Sequence, residues 1–169
     1  LIEIIGIFIS CLGILLLISL ISYSPSDPNF IFPENTKIKN ILGFQGSYIS
    51  DLFFQSVGLV SYLISITFIF TGVSIFKKKN AFLFIENTFF VVIYTLIGSL
   101  FFSFYFKDVF PFYINGNGGF IGNYLNRTFI NNTITNYENF FFYFFFFFLF
   151  IFFFFFVNFN VINFFNLFF

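Results

Sequence analysis

Histidine, methionine and tryptophan are absent from the 169 residues, and cysteine occurs once. Without imidazole there is no ordinary general base near neutral pH and no zinc site of the usual kind. A lone Cys11 can form neither a CxxC pair nor an internal disulfide, and mid-way along an apolar run it reads as a small packing residue. No GxxxxGK[ST] stretch occurs, so the chain carries no P-loop. The glycines at Gly116 and Gly118 begin a GxG, but Ile121 stands where the third glycine of GxGxxG belongs, which leaves a turn opening a helix. No catalytic residue, metal ligand or cofactor site is therefore expected in this segment.

Charge is also scarce. Asp, Glu, Lys and Arg make up 8% of the chain, against about 25% in soluble domains, and the mean hydropathy is +0.98. A soluble fold could not hide that much apolar surface, so the lipid bilayer is the expected surrounding. Net charge is zero, which gives nucleic acid no electrostatic footing on the segment itself.

Crossing a bilayer takes about 20 apolar residues at about 1.5 Å each. Four runs qualify as expected spans: residues 4–21, 52–76, 87–106 and 140–157. The first has no basic n-region and no small-residue cleavage site, so it reads as a retained anchor. Backbone polar groups in lipid must be satisfied within the segment, which makes all four α-helices, and the ten-residue alternating segments of a β-barrel are missing. The expected fold is all-α, a polytopic four-helix membrane domain over 1–157. Lys77, Lys78 and Lys79 form the dense basic cluster in a short loop, 77–81. The positive-inside rule places that loop in the cytoplasm, with both termini, and puts loops 23–41 and 107–139 outside. Residues 158–169 are expected to begin a cytoplasmic linker or to be a mis-framed tail, since FFFYFFFFFLFIFFFFFV is low-complexity text. Phe fills 40 positions, which, with abundant Ile and Asn, points to A/T-rich coding. The lack of any Met suggests a piece without its true start.

Small residues mark where helices approach closely. Gly6, Ser10 and Gly13 share one face of the first span. Gly43, Ser47, Ser50, Gly58, Ser61 and Ser65 form a longer stripe, and Thr95, Ser99 and Ser103 a third. The first three helices are expected to pack through these stripes. The proline-free run 41–76 allows a single 36-residue helix with Asn40 as N-cap, longer than the hydrocarbon core, so that Gln45, Ser47 and Asp51 fall near the outer interface. Ile121, Tyr124, Leu125, Phe129 and Ile130 recur at helical spacing and predict an amphipathic stretch on the outer membrane surface.

The first span ends in SYSPSDPNF (22–30), a turn more specified than a generic loop requires. It resembles the loop after the first transmembrane helix of FtsK/SpoIIIE-type DNA translocases, an S-Y-x-P-x-D-P-x-aromatic pattern filled here by Ser22, Tyr23, Pro25, Asp27, Pro28 and Phe30. NILGFQGSYISDLFFQSVGLVSYL (40–63) is similar to the next family segment, with Leu42, Gly43, Gly46, Tyr48, Asp51, Phe54, Gln55, Gly58 and Tyr62 in order and serines for the family's alanines. Gly118, Gly119 and Gly122 look like the G-G-x-x-G turn before the fourth helix. Beyond Arg127 only hydrophobicity agrees.

The resemblance implies a four-helix inner-membrane anchor of a DNA motor at the division septum, serving cell division and chromosome partition. Division-septum proteins and further copies of the chain are the implied partners, while DNA and ATP would be engaged only by a C-terminal motor outside this segment. Tyr23, Pro25, Asp27, Pro28, Gly43, Gly46, Tyr48, Asp51, Gln55, Gly58, Gly119 and Gly122 become candidate motif or partner-contact residues; Gly6, Ser10, Gly13, Ser61 and Ser65 remain packing candidates. Asp27 between prolines reads as a turn former bonding the local backbone. Glu86 reads as a partner of the lysines or a solvated charge. Asp51 also admits an alternative, a small ion- or solute-translocating protein, because ionisable groups in membrane helices often mark ion paths. A degraded gene is a third reading, resting on the Phe tract.

Overall fold

The computed structural model describes residues 1–28, 37–106, 114–128 and 130–156. Seven α-helices occupy them: α1 Ile2–Ile21, α2 Gly43–Val57, α3 Ser61–Lys78, α4 Phe82–Tyr105, α5 Gly119–Asn126, α6 Ile130–Asn136 and α7 Glu138–Phe156. Three stretches are long and apolar enough to cross a membrane: Ile2–Ile21, Gly43–Lys78 and Phe82–Tyr105. Glu138–Phe153 is a shorter apolar helix among the described residues.

The backbone runs antiparallel from neighbour to neighbour. Gly6 and Gly13 of α1 lie against α3, where a Cβ on Gly6 would stand 2.7 Å from the Gly72 carbonyl oxygen and one on Gly13 2.7 Å from the Ile69 nitrogen. Between them the Ser10 hydroxyl donates to the Ile69 carbonyl at 3.2 Å. The stripe expected on the first span is thus the α1–α3 seam. Replacing Gly13 with Leu forces a side chain into backbone, and overpacking of this kind costs about 1–3 kcal/mol. A lower unfolding temperature in detergent, with faster proteolysis, is the expected result; Ile14→Leu, at an exposed position, should change neither.

The α3–α4 seam is polar where the sequence reads as apolar. The Asn87 amide donates to Thr71 Oγ1 at 2.8 Å, and the Thr67 and Tyr94 hydroxyls share a hydrogen bond of 2.7 Å. All four side chains are buried. In lipid, hydrogen bonds between helices average about 0.6 kcal/mol each, so they set register more than they add stability. The α4–α7 seam is aromatic: Phe101 meets Phe142 at 5.5 Å and Tyr94 meets Phe153 at 6.3 Å, and the Tyr105 hydroxyl donates to the Glu138 carbonyl at 2.7 Å.

Several boundaries differ from the sequence reading. The run 43–78 is helical throughout but jointed: α2 stops at Gly58, a 3₁₀ turn spans Gly58–Val60, and α3 begins at Ser61. Gly58 has φ +66°, outside what an α-helix permits. The N-cap of α2 is Leu42, not Asn40; Asn40 Oδ1 instead accepts from the Leu42 amide at 3.0 Å and the Asn40 carbonyl from the Gly43 amide at 2.9 Å. The third helix begins at Phe82, five residues before the expected span, because the short loop ends as soon as Lys79 closes α3 in a left-handed conformation. The predicted amphipathic stretch is two short helices, α5 and α6. Phe129, like Phe30 and the tail 158–169, lies outside the described residues.

The two ends of the bundle have different chemistry. At one, Lys79 pairs with Glu3 at 2.8 Å, both substantially exposed, a contact worth at most about 1 kcal/mol. Glu3 is thus the lysine's acidic partner, and Glu86 is exposed. At the other end, α2, α5 and the loop after α1 close over the helices.

Candidate functional site

This cap holds most of the motif residues. Its first element is the loop after α1. The Ser22 hydroxyl donates to the Ile18 carbonyl at 2.7 Å and accepts from the Ile41 amide at 3.2 Å, so the end of α1 and the start of α2 share one side chain. Asp27 is buried. Its two carboxylate oxygens accept from the Lys39 and Asn40 amides at 3.0 and 2.8 Å. Asp27 therefore fastens backbone 12 and 13 residues away, where the sequence suggested a local turn. The Asn40 side chain extends the chain of bonds by donating to the Ser19 carbonyl at 2.9 Å.

The second element is the inward face of α2. Ser47 donates to the Pro28 carbonyl at 2.8 Å. One turn on, the Tyr23 hydroxyl donates to Asp51 Oδ1 at 3.1 Å, and the Gln55 amide approaches the same oxygen at 3.5 Å, a long contact. Asp51 is 3% exposed, so a buried carboxylate is held by a phenol and approached by Gln55 one turn on along α2. The Tyr23 ring continues inward edge-on to Phe54 at 4.9 Å, and Phe54 to Tyr62 at 5.5 Å. The Tyr62 hydroxyl reaches the Leu20 carbonyl at 3.3 Å.

The third element is the NGNGG turn. The Asn115 amide donates to Gln55 Oε1 and its side chain to the Gln55 carbonyl, both at 3.2 Å. The Leu59 amide, freed by the break after α2, donates to the Asn117 carbonyl at 2.9 Å. Gly58 and Gly119 meet backbone to backbone here, both with positive φ. A Cβ on Gly58 would overlap the Asn117 carbonyl, and one on Gly119 would lie 2.6 Å from the Gly58 nitrogen. Gly118 and Gly122 seat α5 against the Ser99 carbonyl and Ser103. Ser99 donates to the Val57 carbonyl and Ser103 to the Gly122 carbonyl, each at 3.0 Å. The third small-residue stripe thus joins the second expected helix through Ser99, and beyond that expectation it also seats α5 of the cap.

Tyr23, Asp27, Pro28, Asp51, Gln55, Gly58, Gly119 and Gly122 converge on this cap. Ser61 closes the same joint by donating to the Gly58 carbonyl at 2.7 Å, whereas the Ser65 carbonyl faces Gly13 in the α1–α3 seam. Gly46 leaves room for Asn40 and Leu42; a Cβ there would come 2.6 Å from that of Leu42. Pro25 is exposed. Gly43 has φ +67° with nothing within 4 Å of a Cβ. The Tyr48 ring lies 6.3 Å from that of Phe44 on the outward face of α2. Sequence reasoning passed over Asn40 as an acceptor hub, and Asn115 and Asn117 as fasteners. For Asn115 and Asn117 the signal was an Asn placed beside Gly, whose short side chain competes well for backbone groups; Asn40, between Lys39 and Ile41, carried no such mark.

Among the described residues, no three of His, Cys, Asp and Glu are grouped to hold a metal ion, and the buried carboxylates are Asp27 and Asp51, both in the cap. The arrangement ties two loops and a jointed helix into one surface; what it defines is a multi-pass membrane protein.

Comparison with known families agrees. A family model describing the 4TM region of DNA translocase FtsK/SpoIIIE matches residues 1–168, and the chain belongs to that family as its membrane region. The match continues past Arg127, where the motif resemblance stops. The chain is 32% identical over 88 residues to DNA translocase FtsK of Rickettsia typhi, covering 52% of this chain and 12% of that protein. It is 34% identical over 97 residues to DNA translocase FtsK of Shewanella oneidensis, covering 56% and 10%. The chain thus spans about a tenth of the length of the curated relatives it matches. No solved structure matches it.

Proposed function

We propose that this chain is the membrane anchor of a septal DNA translocase, a non-enzymatic module for a motor that lies outside it. In this reading α1, the α2–α3 run, α4 and α7 give four passages with both termini and the basic end of α3, Lys77 to Lys79, in the cytoplasm. The capped end then faces outward in the inner membrane and presents the loops to division-septum proteins. Self-association sets how many motors stand together, and DNA and ATP are engaged only by the motor. Support comes from the bonding of both outer loops to one face of α2 through Tyr23–Asp51 and Gln55–Asn115. A cap braced this way holds a fixed surface at the end opposite the basic cluster.

The experiment is septal recruitment of the full-length protein carrying a fluorescent tag. Asp51→Ala, and separately Pro25→Ala with Pro28→Ala, should lower septal signal while membrane insertion stays normal. Unchanged recruitment of both variants would remove these residues from the proposal. The ion-translocating reading predicts pH-dependent flux in liposomes that disappears in Asp51→Asn. Against it stands the placement of both buried carboxylates at one end, since a proton relay through about 30 Å of hydrocarbon calls for ionisable groups along the way.

A further inference from the structure

A groove of about 390 Å³ opens between α1 and α2 below the cap. Above it the chain flanking the two helices is tied, Asn40 before α2 to Ser19 of α1 and Tyr23 after α1 to Asp51 of α2. The tight Gly6–Ser10–Gly13 seam meanwhile turns α1 toward α3. The walls are Leu12 on one side and Ile49 and Phe53 on the other, with Phe68 of α3 at the back. The lining carries no Asp, Glu, Lys or Arg, and its polar members, Ser19 and Gln45, come from its capped end.

We propose that this groove is a binding site for one phospholipid acyl chain. Two observations and one physical argument point to that occupant. The groove is continuous with a lipid-facing surface: Leu12 is 44% exposed on a membrane-spanning helix, and its neighbours Phe8 and Leu15 are 62% and 48% exposed. An apolar wall without charge matches a hydrocarbon tail, while Gln45 at the capped-end rim suits the ester end of a lipid. The opening cannot stay empty at low cost, because wall atoms facing a void forgo their dispersion contacts. The inference rests on membrane embedding and not on which end faces out. A lipid seated there would brace the side of α2 that protein leaves open.

The absence of tryptophan gives a clean test. Phe53→Trp places one reporter in the groove wall, and Phe89→Trp places one on an exposed position of α4. Each variant of the full chain is held in detergent and titrated with phosphatidylcholine brominated on its acyl chains. A lipid preferred over detergent by a tenfold affinity ratio, about 1.4 kcal/mol, should half-quench the groove reporter at about one-tenth of the lipid needed for the α4 reporter. In parallel, the wild-type chain should retain one phospholipid through detergent exchange by native mass spectrometry, and Leu12→Phe should lose it with its helix content unchanged. Equal quenching of both reporters, or a wild-type chain free of lipid, overturns the proposal. So does a groove reporter that becomes quenchable only on dilution, which would give the groove to a helix of a second copy.

Discussion

Gly58→Ala is expected to be the most damaging single substitution in the cap, because it meets two independent penalties. The first is conformational: with φ +66° and ψ −141°, the residue sits where a side chain costs about 1–3 kcal/mol. The second is steric, since the new methyl would overlap the Asn117 carbonyl. That carbonyl cannot withdraw without breaking its bond from the Leu59 amide at 2.9 Å. Gly43→Ala is the natural control. Its φ is +67° but its Cβ would meet nothing, so it carries the conformational cost alone. We expect Gly58→Ala to lose at least about 3 kcal/mol and Gly43→Ala about 1 kcal/mol, read by denaturant titration in micelles. Protease cleavage near Asn115 should rise only in the first. Equal losses would mean that the contact with the NGNGG turn does not constrain the joint.

Asp27→Ala comes next. Its carboxylate satisfies the amides of Lys39 and Asn40 at a buried site, and orphaning such donors costs about 1–3 kcal/mol for each group. Asp27→Asn keeps one acceptor oxygen and should lose about half as much. Amide hydrogen exchange is the suitable measurement. The Lys39 and Asn40 amides should exchange much faster in Asp27→Ala and moderately faster in Asp27→Asn, with amides in α3 and α4 unaffected. Protection that persists in Asp27→Ala would show that the segment before α2 is held by something other than this carboxylate. Because the bonds reach 12 and 13 residues along the chain, the effect should appear at the start of α2 and not in the turn containing Asp27.

The helices and the family were legible before any coordinates, and for a physical reason. Burying a backbone in hydrocarbon demands helices about 20 residues long, so the uncharged runs ending at Ile21 and Phe106 announce themselves by length. Gly6, Ser10 and Gly13 could be read as a seam because helical spacing alone puts them on one face. SYSPSDPNF and the GGFIG turn carried the family because their residue types are specific at fixed positions.

The joint at Gly58 was not legible. A glycine in an apolar run is as compatible with close packing as with a break, and only the Asn117 carbonyl, 59 residues later, decides between them. The roles of Asp27 and Asp51 were hidden for the same reason. A carboxylate's partners depend on which distant amides and hydroxyls the fold brings within 3 Å, and Tyr23 lies 28 residues from Asp51. Nor could the sequence tell that Ser99 bonds the end of α2 and Ser103 bonds α5, since hydroxyls spaced four apart suit any neighbour. Local rules thus determined the passages and the family, because solvation by lipid and helical periodicity act on neighbouring residues. Tertiary structure alone decided the cap and the groove beneath it, because hydrogen bonds and close backbone contacts are made between segments that sequence distance does not pair.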